Sequence, residues 1–403
     1  MYINTSDIKG NFPIFKHNKK LVYLDTAATS HLPSCTIKAI TKYYKTIHSN
    51  INRSVHKLSE KTAHTVEKVR KIIQKFINAE YVEECIFVKS TTEALNLIAN
   101  CLPKTHLKEG DSILITSMEH HANIIPWRLV CAQYNYKLHV APITENGTID
   151  IAKLTTLFIQ EKIKLLSLTH ISNVLGTINP IETIINIAKK HNIIVIVDGA
   201  QAVQHMLVDV KKLNCDFYVF SGHKIYGPTG VGILYGKKIY LNNMPPYLSG
   251  GNMVLNLTND KIIYSELPHK FEAGTLPIAS IIGLGSSLKF FKKNQQTVLE
   301  LEKNLIRYTL QKLKTIENLH LLGSAISRAG IFSFTLENKH PHDIGTILNQ
   351  QDIAVRTGHL CAIPLLQHYK INAVTRVSLG MYTTFEDIDK LHTAILVVNK
   401  TLR

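Results

Sequence analysis

The sequence predicts an α/β fold with a largely parallel or mixed sheet covered by helices, and three observations carry that prediction. Short β-branched runs, CIFVKS, DSILITS, KLLSLTH, NIIVIVD and DFYVFSG, recur between residues 85 and 222. Stretches with helical periodicity, such as EALNLIANCL and PIETIINIAKKHN, separate them. The length of 403 residues, 45% of them hydrophobic, suffices for a large domain and a smaller one.

The elements follow in order. Residues 1–22 read as an N-terminal segment and 23–285 as the large domain. From about Ile281 a long amphipathic stretch, IIGLGSSLKFFKKNQQTVLELEKNLIRYTLQKLKTI, reads as a helix or a pair of helices leading into a second unit. That unit, 286–403, contains GIFSFTLE, AVRT and RVSLGMY and reads as a small α+β domain. No internal repeat or low-complexity linker interrupts this order.

Charge and cysteines narrow the function classes. The balance of 46 Lys+Arg against 30 Asp+Glu gives a formal +16. The lysines are spread singly and in pairs, so solubility, and not a nucleic-acid or membrane partner, is the expected meaning. No run approaches the roughly 20 apolar residues of a membrane span, and the opening MYINTSDIKGNFPIFKHNKK lacks an apolar signal core. Cytoplasm is the expected location, although charge leaves an organellar address open. Six cysteines occur without a CxxC pair, so neither a metal site nor a disulfide framework is expected. Cys35, Cys85, Cys101, Cys131 and Cys215 are expected as buried, inert thiols, and Cys361 stands apart.

In such sheets ligands bind beyond the carboxyl ends of the strands, so the residues just after each strand are read together. In VKSTTEALNL, Ser90 and Glu93 fit a capping box, and the same turn offers free N–H groups and the hydroxyls of Thr91 and Thr92 to a phosphate. In SMEHHANIIPW, two histidines beside a glutamate fit a solvated loop, a metal half-site or a platform for a flat cofactor; HEXXH spacing is absent. IVIVDGAQAV places Asp198 at the floor of a crevice, where it either caps the next helix or pairs with a cation, such as a protonated ring nitrogen. In FSGHKIYGPTGVG, Ser221, His223 and Lys224 leave a strand together. Lys224 precedes the glycines, the reverse of a Walker loop, and fits a Schiff-base lysine or a solvated one. A flat aldehyde with a phosphate and a ring nitrogen would use all four positions. Pyridoxal 5′-phosphate (PLP) is such a cofactor.

SNVLG, VDGAQAV, FSGHKIYGPTGVGILYG, FEAGT and RTGHLCAIPLL, with EHHANIIPW upstream, together look like the class V aminotransferase fold, a PLP-dependent transferase of fold type I. More narrowly they resemble the SUF-system cysteine desulfurases, also called selenocysteine lyases. The resemblance implies that Lys224 carries PLP, that His120 stacks on its ring, and that Asp198 pairs with the ring N–H. It implies that Gln201 and Asn173 approach polar atoms of the ring, and that Thr92, Ser221 and His223 hold the phosphate. Thr275 would reach the phosphate of a partner subunit across a homodimer. Arg376 would grip the substrate α-carboxylate, with Arg356 and His56 also on the substrate side. Cys361 would take sulfur from L-cysteine as a persulfide and leave L-alanine, with Arg356 and His359 beside it.

The compact RTGHLCAIP resembles the SUF type, not the longer serine-rich loop of the housekeeping desulfurases. A short loop implies slow turnover without a SufE- or SufU-like acceptor. The sequence departs from the pattern at NRSVH, LSGGNM and Lys270, where HRGVH-like and EGGG-like segments and an arginine are expected. Two other readings stand beside this one. A kynureninase-like hydrolase or an aminotransferase would keep Lys224 and Asp198 but leave Cys361 unused, and an idle assembly scaffold would have no need of the three.

Overall fold

The computed structural model describes residues 8–51 and 55–401. Its centre is a seven-stranded sheet built from β2 (Cys85–Val88), β3 (Ser112–Thr116), β4 (Lys137–Ala141), β5 (Ile163–Thr169), β6 (Ile194–Asp198), β7 (Phe217–Ser221) and β8 (Gly232–Gly236). The spatial order is β2-β8-β7-β6-β5-β3-β4, and β8 alone runs against the rest. The five strand runs read from the sequence are β2, β3, β5, β6 and β7.

Most of these strands are buried along their whole length, because helices cover both faces and neither face meets water. Alternate side chains serve opposite cores. Ile113, Ile115, Ile196, Phe217 and Val219 join one cluster with Trp127 and the helix Thr91–Cys101. Leu114, Val195, Val197, Tyr218 and Phe220 join the other, with Ile281, Leu284 and Leu288.

A second unit holds the antiparallel sheet β11 (Leu319–Leu321), β12 (Ile331–Leu336), β15 (Val374–Ser378) and β14 (Arg356–Gly358), in that order. The stretch expected as one helix or two is a single helix, Ile278–Lys314, of 37 residues. At 1.5 Å per residue it is about 56 Å long. Its first half packs on the large core and its second half, through Leu301, Leu305 and Leu313, on the core of the second unit. The boundary expected at 285 therefore falls inside a continuous helix.

The chain's entry also departs from the simple division. β1 (Val22–Tyr23) pairs in parallel with β13 (Ile353–Ala354), and Val22 and Leu24 are buried in the C-terminal core. The loop that follows, Asp25 to Ser30, passes between the two units. A hairpin of β9 (Val254–Leu257) and β10 (Ile262–Tyr264) stands out from the large sheet with Leu255, Leu257 and Ile262 exposed. Among the described residues no helix is long and apolar enough to cross a membrane.

Of the five cysteines expected as inert, Cys85, Cys101, Cys131 and Cys215 are buried. Burial pushes the thiols of Cys85 and Cys215 up to about 12 and those of Cys101 and Cys131 up to about 11. Cys35 is exposed, against expectation. It occupies the first turn of the helix Ser34–Thr46, where few side chains face the core.

Candidate active site

The carboxyl ends of β5, β6 and β7 and the amino end of the helix Thr91–Cys101 enclose a cavity of about 340 Å³. Thr92, His120, Asn173, Asp198, Gln201, Ser221, His223, Lys224, Arg356, Cys361 and Arg376 all line it. Residues up to 284 positions apart along the chain thus meet in one place: parallel strands bring Asp198 and Ser221 to the same edge of the sheet, and the second unit adds Arg356, Cys361 and Arg376.

The floor is Asp198, the last residue of β6. Its Oδ1 accepts the Ala200 N–H at 2.9 Å. Burial raises its pKa, and Lys224 opposes that rise. Gly199 is required here because a Cβ at that position would overlap the ring of Tyr218. Lys224 closes a single 3-10 turn, Gly222–Lys224, at the end of β7. Burial lowers its pKa, Asp198 counteracts, and Arg376 lowers it further. A buried carboxylate and a lysine with a weakened hold on its proton thus face the same cavity.

The loop Asp25–Ser30 fastens the lysine turn from the other side. Ser30 N and Ser30 Oγ both donate to the His223 carbonyl at 2.8 Å, and Tyr226 N donates to Ser30 Oγ at 2.6 Å. Gln201 Nε2 donates to the Ala27 carbonyl at 2.8 Å, which aims Gln201 along the cavity wall. Gln201 Oε1 has no partner among the described residues. It is a buried acceptor awaiting a donor from the cavity's occupant.

The Thr91–Cys101 helix supplies the anion end. Glu93 N donates to Ser90 Oγ at 3.3 Å, and the Glu93 carboxylate accepts from Lys89 N, one residue earlier than a capping box demands. Ser221 Oγ bonds Thr91 N and Thr91 Oγ1, each at 2.8 Å, tying β7 to this helix. The first-turn N–H groups and the Thr92 side chain border the cavity at a positive helix end.

His120 forms the opposite wall. Burial and then Lys224 push it down to about 3, so it is a neutral ring. Its Nδ1 accepts the Ala122 N–H at 3.1 Å. His223 is likewise held at about 4 by burial and Lys224.

The second unit contributes Arg376 from β15, and Arg356 and Cys361 from β14 and the turn after it. Arg376 is 3% exposed; its Nη1 donates to the Asn173 carbonyl and its Nη2 to Asp25 Oδ1, both at 3.0 Å. Burial lowers its pKa, Asp25 opposes, and its Nε lacks a partner. The other Asp25 oxygen binds Arg356 at 2.7 Å. Cys361 sits in the short connection between β14 and the helix Ile363–His368, with Leu360 and Cys361 in left-handed conformations at φ 52° and 54°. Asn173 Nδ2 holds the Leu360 carbonyl at 2.9 Å, His121 N the Cys361 carbonyl at 2.7 Å, and Cys361 N donates to His359 Nδ1 at 3.1 Å. The cysteine is therefore presented from a pinned turn.

Two expected site residues lie elsewhere in this chain. His56 is exposed, and its Nδ1 accepts Ser59 N at 3.2 Å as the cap of the helix Lys57–Phe76. Of NRSVH, Asn52, Arg53 and Ser54 fall outside the described residues. Thr275 is exposed and does not line the cavity. Arg356, expected beside the thiol, spends its guanidinium on Asp25.

Sequence reasoning passed over Asp25 and Ser30. The run YLDTAATS contains the only cue, an acid and small hydroxyl residues directly after a strand.

The cavity suits PLP. It offers a buried carboxyl for a ring nitrogen, a neutral imidazole for a ring face, a helix amino end for a phosphate, a half-buried lysine, and the orphaned Gln201 Oε1.

Comparisons with known proteins agree. The class-V aminotransferase profile matches residues 22–391. A curated cysteine desulfurase of Escherichia coli O9:H4 (strain HS) is 42% identical over 407 residues, covering 100% of both chains. The crystal structure of the Escherichia coli cysteine desulfurase CsdA, in an S-sulfonic acid form, is similar with a TM-score of 0.93 at 31% identity, covering 100% of both chains. The apo cysteine desulfurase of Thermococcus onnurineus NA1 gives 0.94 at 34% identity, covering 99% of both chains. At 22% identity, a C-DES mutant with glycine covalently linked to its PLP cofactor shares the fold, with a TM-score of 0.84, over 96% of this chain and 98% of its own. The chain therefore belongs to the PLP-dependent class-V aminotransferase family, among the relatives of the cysteine desulfurases.

Proposed function

We propose that this protein is a PLP-dependent cysteine desulfurase of the SUF type, converting L-cysteine to L-alanine and leaving the sulfur on Cys361. The observation that carries the reading is that Cys361, Lys224, Asp198 and Arg376 line a single cavity. An aminotransferase or hydrolase would have no use for the thiol.

PLP, when bound, supplies an electron sink for the substrate α-carbon. Lys224 would hold it and, once released, take the α-proton, a task for which its lowered pKa suits it. Asp198 would pair with the ring nitrogen, His120 would stack on the ring, and Thr92, Ser221 and His223 would hold the phosphate. Gln201 and Asn173 line the polar edge. Arg376 grips the α-carboxylate, with Arg356 at the cavity mouth.

Cys361 Sγ attacks the substrate sulfur. An S–S bond forms and the substrate Cβ–S bond breaks, its electron pair staying with the carbon fragment, which collects protons to become alanine. The enzyme keeps a Cys361 persulfide, so atoms and electrons balance without an external oxidant.

The pinned four-residue turn limits the reach of Cys361, which supports a SufE- or SufU-like protein as the sulfur acceptor; a role in iron–sulfur cluster assembly and a cytoplasmic setting belong to the same proposal. A homodimer would bring Thr275 of a second copy to the phosphate end. Selenocysteine fits the same cavity, because selenium replaces sulfur with little change of size, and lyase activity on it belongs to the proposal.

The test is a single turnover of the holoenzyme with L-cysteine, followed by mass spectrometry. One alanine and one extra sulfur on Cys361 are expected. Cys361→Ser should keep the visible colour of bound PLP and gain no sulfur, whereas Lys224→Ala should lose the reaction. Bound PLP without alanine or sulfur would assign the chemistry to another class-V enzyme.

A further inference from the structure

Directly before His120 lies Glu119, a carboxylate with no exposed surface and no place among the groups that touch substrate or cofactor. Glu119 Oε1 accepts from Thr116 Oγ1 at 2.6 Å and from Thr169 N at 3.1 Å, and Oε2 accepts from Asn123 Nδ2 at 2.6 Å. These donors belong to the end of β3, the end of β5 and the 3-10 turn His121–Asn123.

Chemistry fixes the direction of the bonds made by the indole, amide and backbone N–H groups of this network. An indole N–H can only donate, so Trp127 Nε1, 3.0 Å from Asn123 Oδ1, requires the amide oxygen on its side. Ser167 Oγ donates to the same oxygen at 2.5 Å. The Asn123 NH2 group is thereby turned toward Glu119. Thr169 N, a backbone donor, meets the other oxygen. Each carboxyl oxygen therefore faces an obligate donor, Thr169 N on Oε1 and the Asn123 NH2 on Oε2. Burial pushes Glu119 up to about 8, and its three donors oppose that rise.

The turn so fastened carries two groups of the site. His120 lines the cavity. His121 holds the Cys361 carbonyl through its own N–H, and its ring lies 5.7 Å from that of His359. Thr169 also lines the cavity, in register with Asp198.

We propose that Glu119 is a positioning residue that, through the turn it anchors, sets both the imidazole wall of the cofactor cavity and the placement of the Cys361 turn. This rests on the desulfurase reading above. Glutamine is the discriminating substitution. It matches glutamate in size but brings an NH2 group that must face either Thr169 N–H or Asn123 NH2, a donor against a donor.

The experiment uses PLP-loaded wild type, Glu119→Gln and Thr116→Val, the last removing the hydroxyl that donates to Glu119 and accepts from Met118 N. Three quantities are read: the visible circular dichroism of bound PLP, the alkylation rate of Cys361 by iodoacetamide in the PLP-free proteins, and kcat and KM with L-cysteine. Glu119→Gln should fold with a lowered melting temperature, because a buried donor then faces a donor. It should change the dichroic band and the alkylation rate, and lower kcat about 10- to 100-fold with a smaller change in KM, as expected for misplaced groups. Thr116→Val should shift the same readouts in the same direction by less.

If Glu119→Gln folds and matches wild type in band, alkylation and kcat, the proposal is overturned. If it does not fold, Thr116→Val decides by the same criteria. A wild type that makes no alanine would sink the desulfurase reading, while the dichroism and alkylation would still report on positioning.

Discussion

Asp25→Asn probes the least obvious part of the site. Asp25 bridges two arginines, but the two arms differ in weight. Arg356 is about half exposed, so water screens its ion pair and that arm contributes little. Arg376 is 3% exposed and, among the described residues, bonds only Asp25 and the Asn173 carbonyl. Replacing the acid removes the one negative charge facing a buried guanidinium, and a hydrogen bond to a charged group is worth about 1.5–3 kcal/mol. If the loss is expressed in how Arg376 meets the substrate carboxylate, kcat/KM should fall about 10- to 100-fold, since every 1.4 kcal/mol is tenfold. The fall should lie mainly in KM, because Asp25 aims a binding group and touches no reacting bond. Steady-state alanine production over a range of L-cysteine, with urea unfolding as a control on folding, measures it. A variant that folds like wild type and keeps its KM would refute the claim that Asp25 orients Arg376.

Two other outcomes follow from buried charges. Glu272 is held at about 2 even though burial alone would raise it, because Arg70 pairs with it at 2.6 Å and Phe87 N donates to it. A depressed carboxyl pKa stabilises the fold above the unfolded value of about 4.3 and is lost as pH falls from there toward 2, a change of about 3 kcal/mol. Glu272→Gln should cost about 3–5 kcal/mol at neutral pH and flatten that acid limb, and denaturant titrations at several pH values test both. Lys224 has its pKa lowered by burial, so PLP capture by the PLP-free protein should reach its plateau rate below the free-lysine value of about 10.4. Stopped-flow absorbance against pH reads this, and a plateau reached only at the free-lysine value would show that the amine is not desolvated.

Sequence by itself determined the strands and what stands at their ends. Unbroken, β-branched apolar runs such as NIIVIVD fit central strands in a covered sheet, and a polar residue at or just past the end of such a run is delivered to the sheet's ligand edge. Asp198 and Lys224 were legible for that reason, and Cys361 through its neighbours RTGHLCAIP. The tertiary structure decided everything that depends on contacts between distant segments. Asp25 holds Arg376 from 351 positions away, and Ser30 fastens the His223 carbonyl from the opposite wall. The single 37-residue helix that joins the two units, the exposure of Cys35 and the removal of His56 to a helix cap have the same origin. Periodicity describes which face of one element is apolar, but it carries no information about which other element will cover that face or complete its hydrogen bonds.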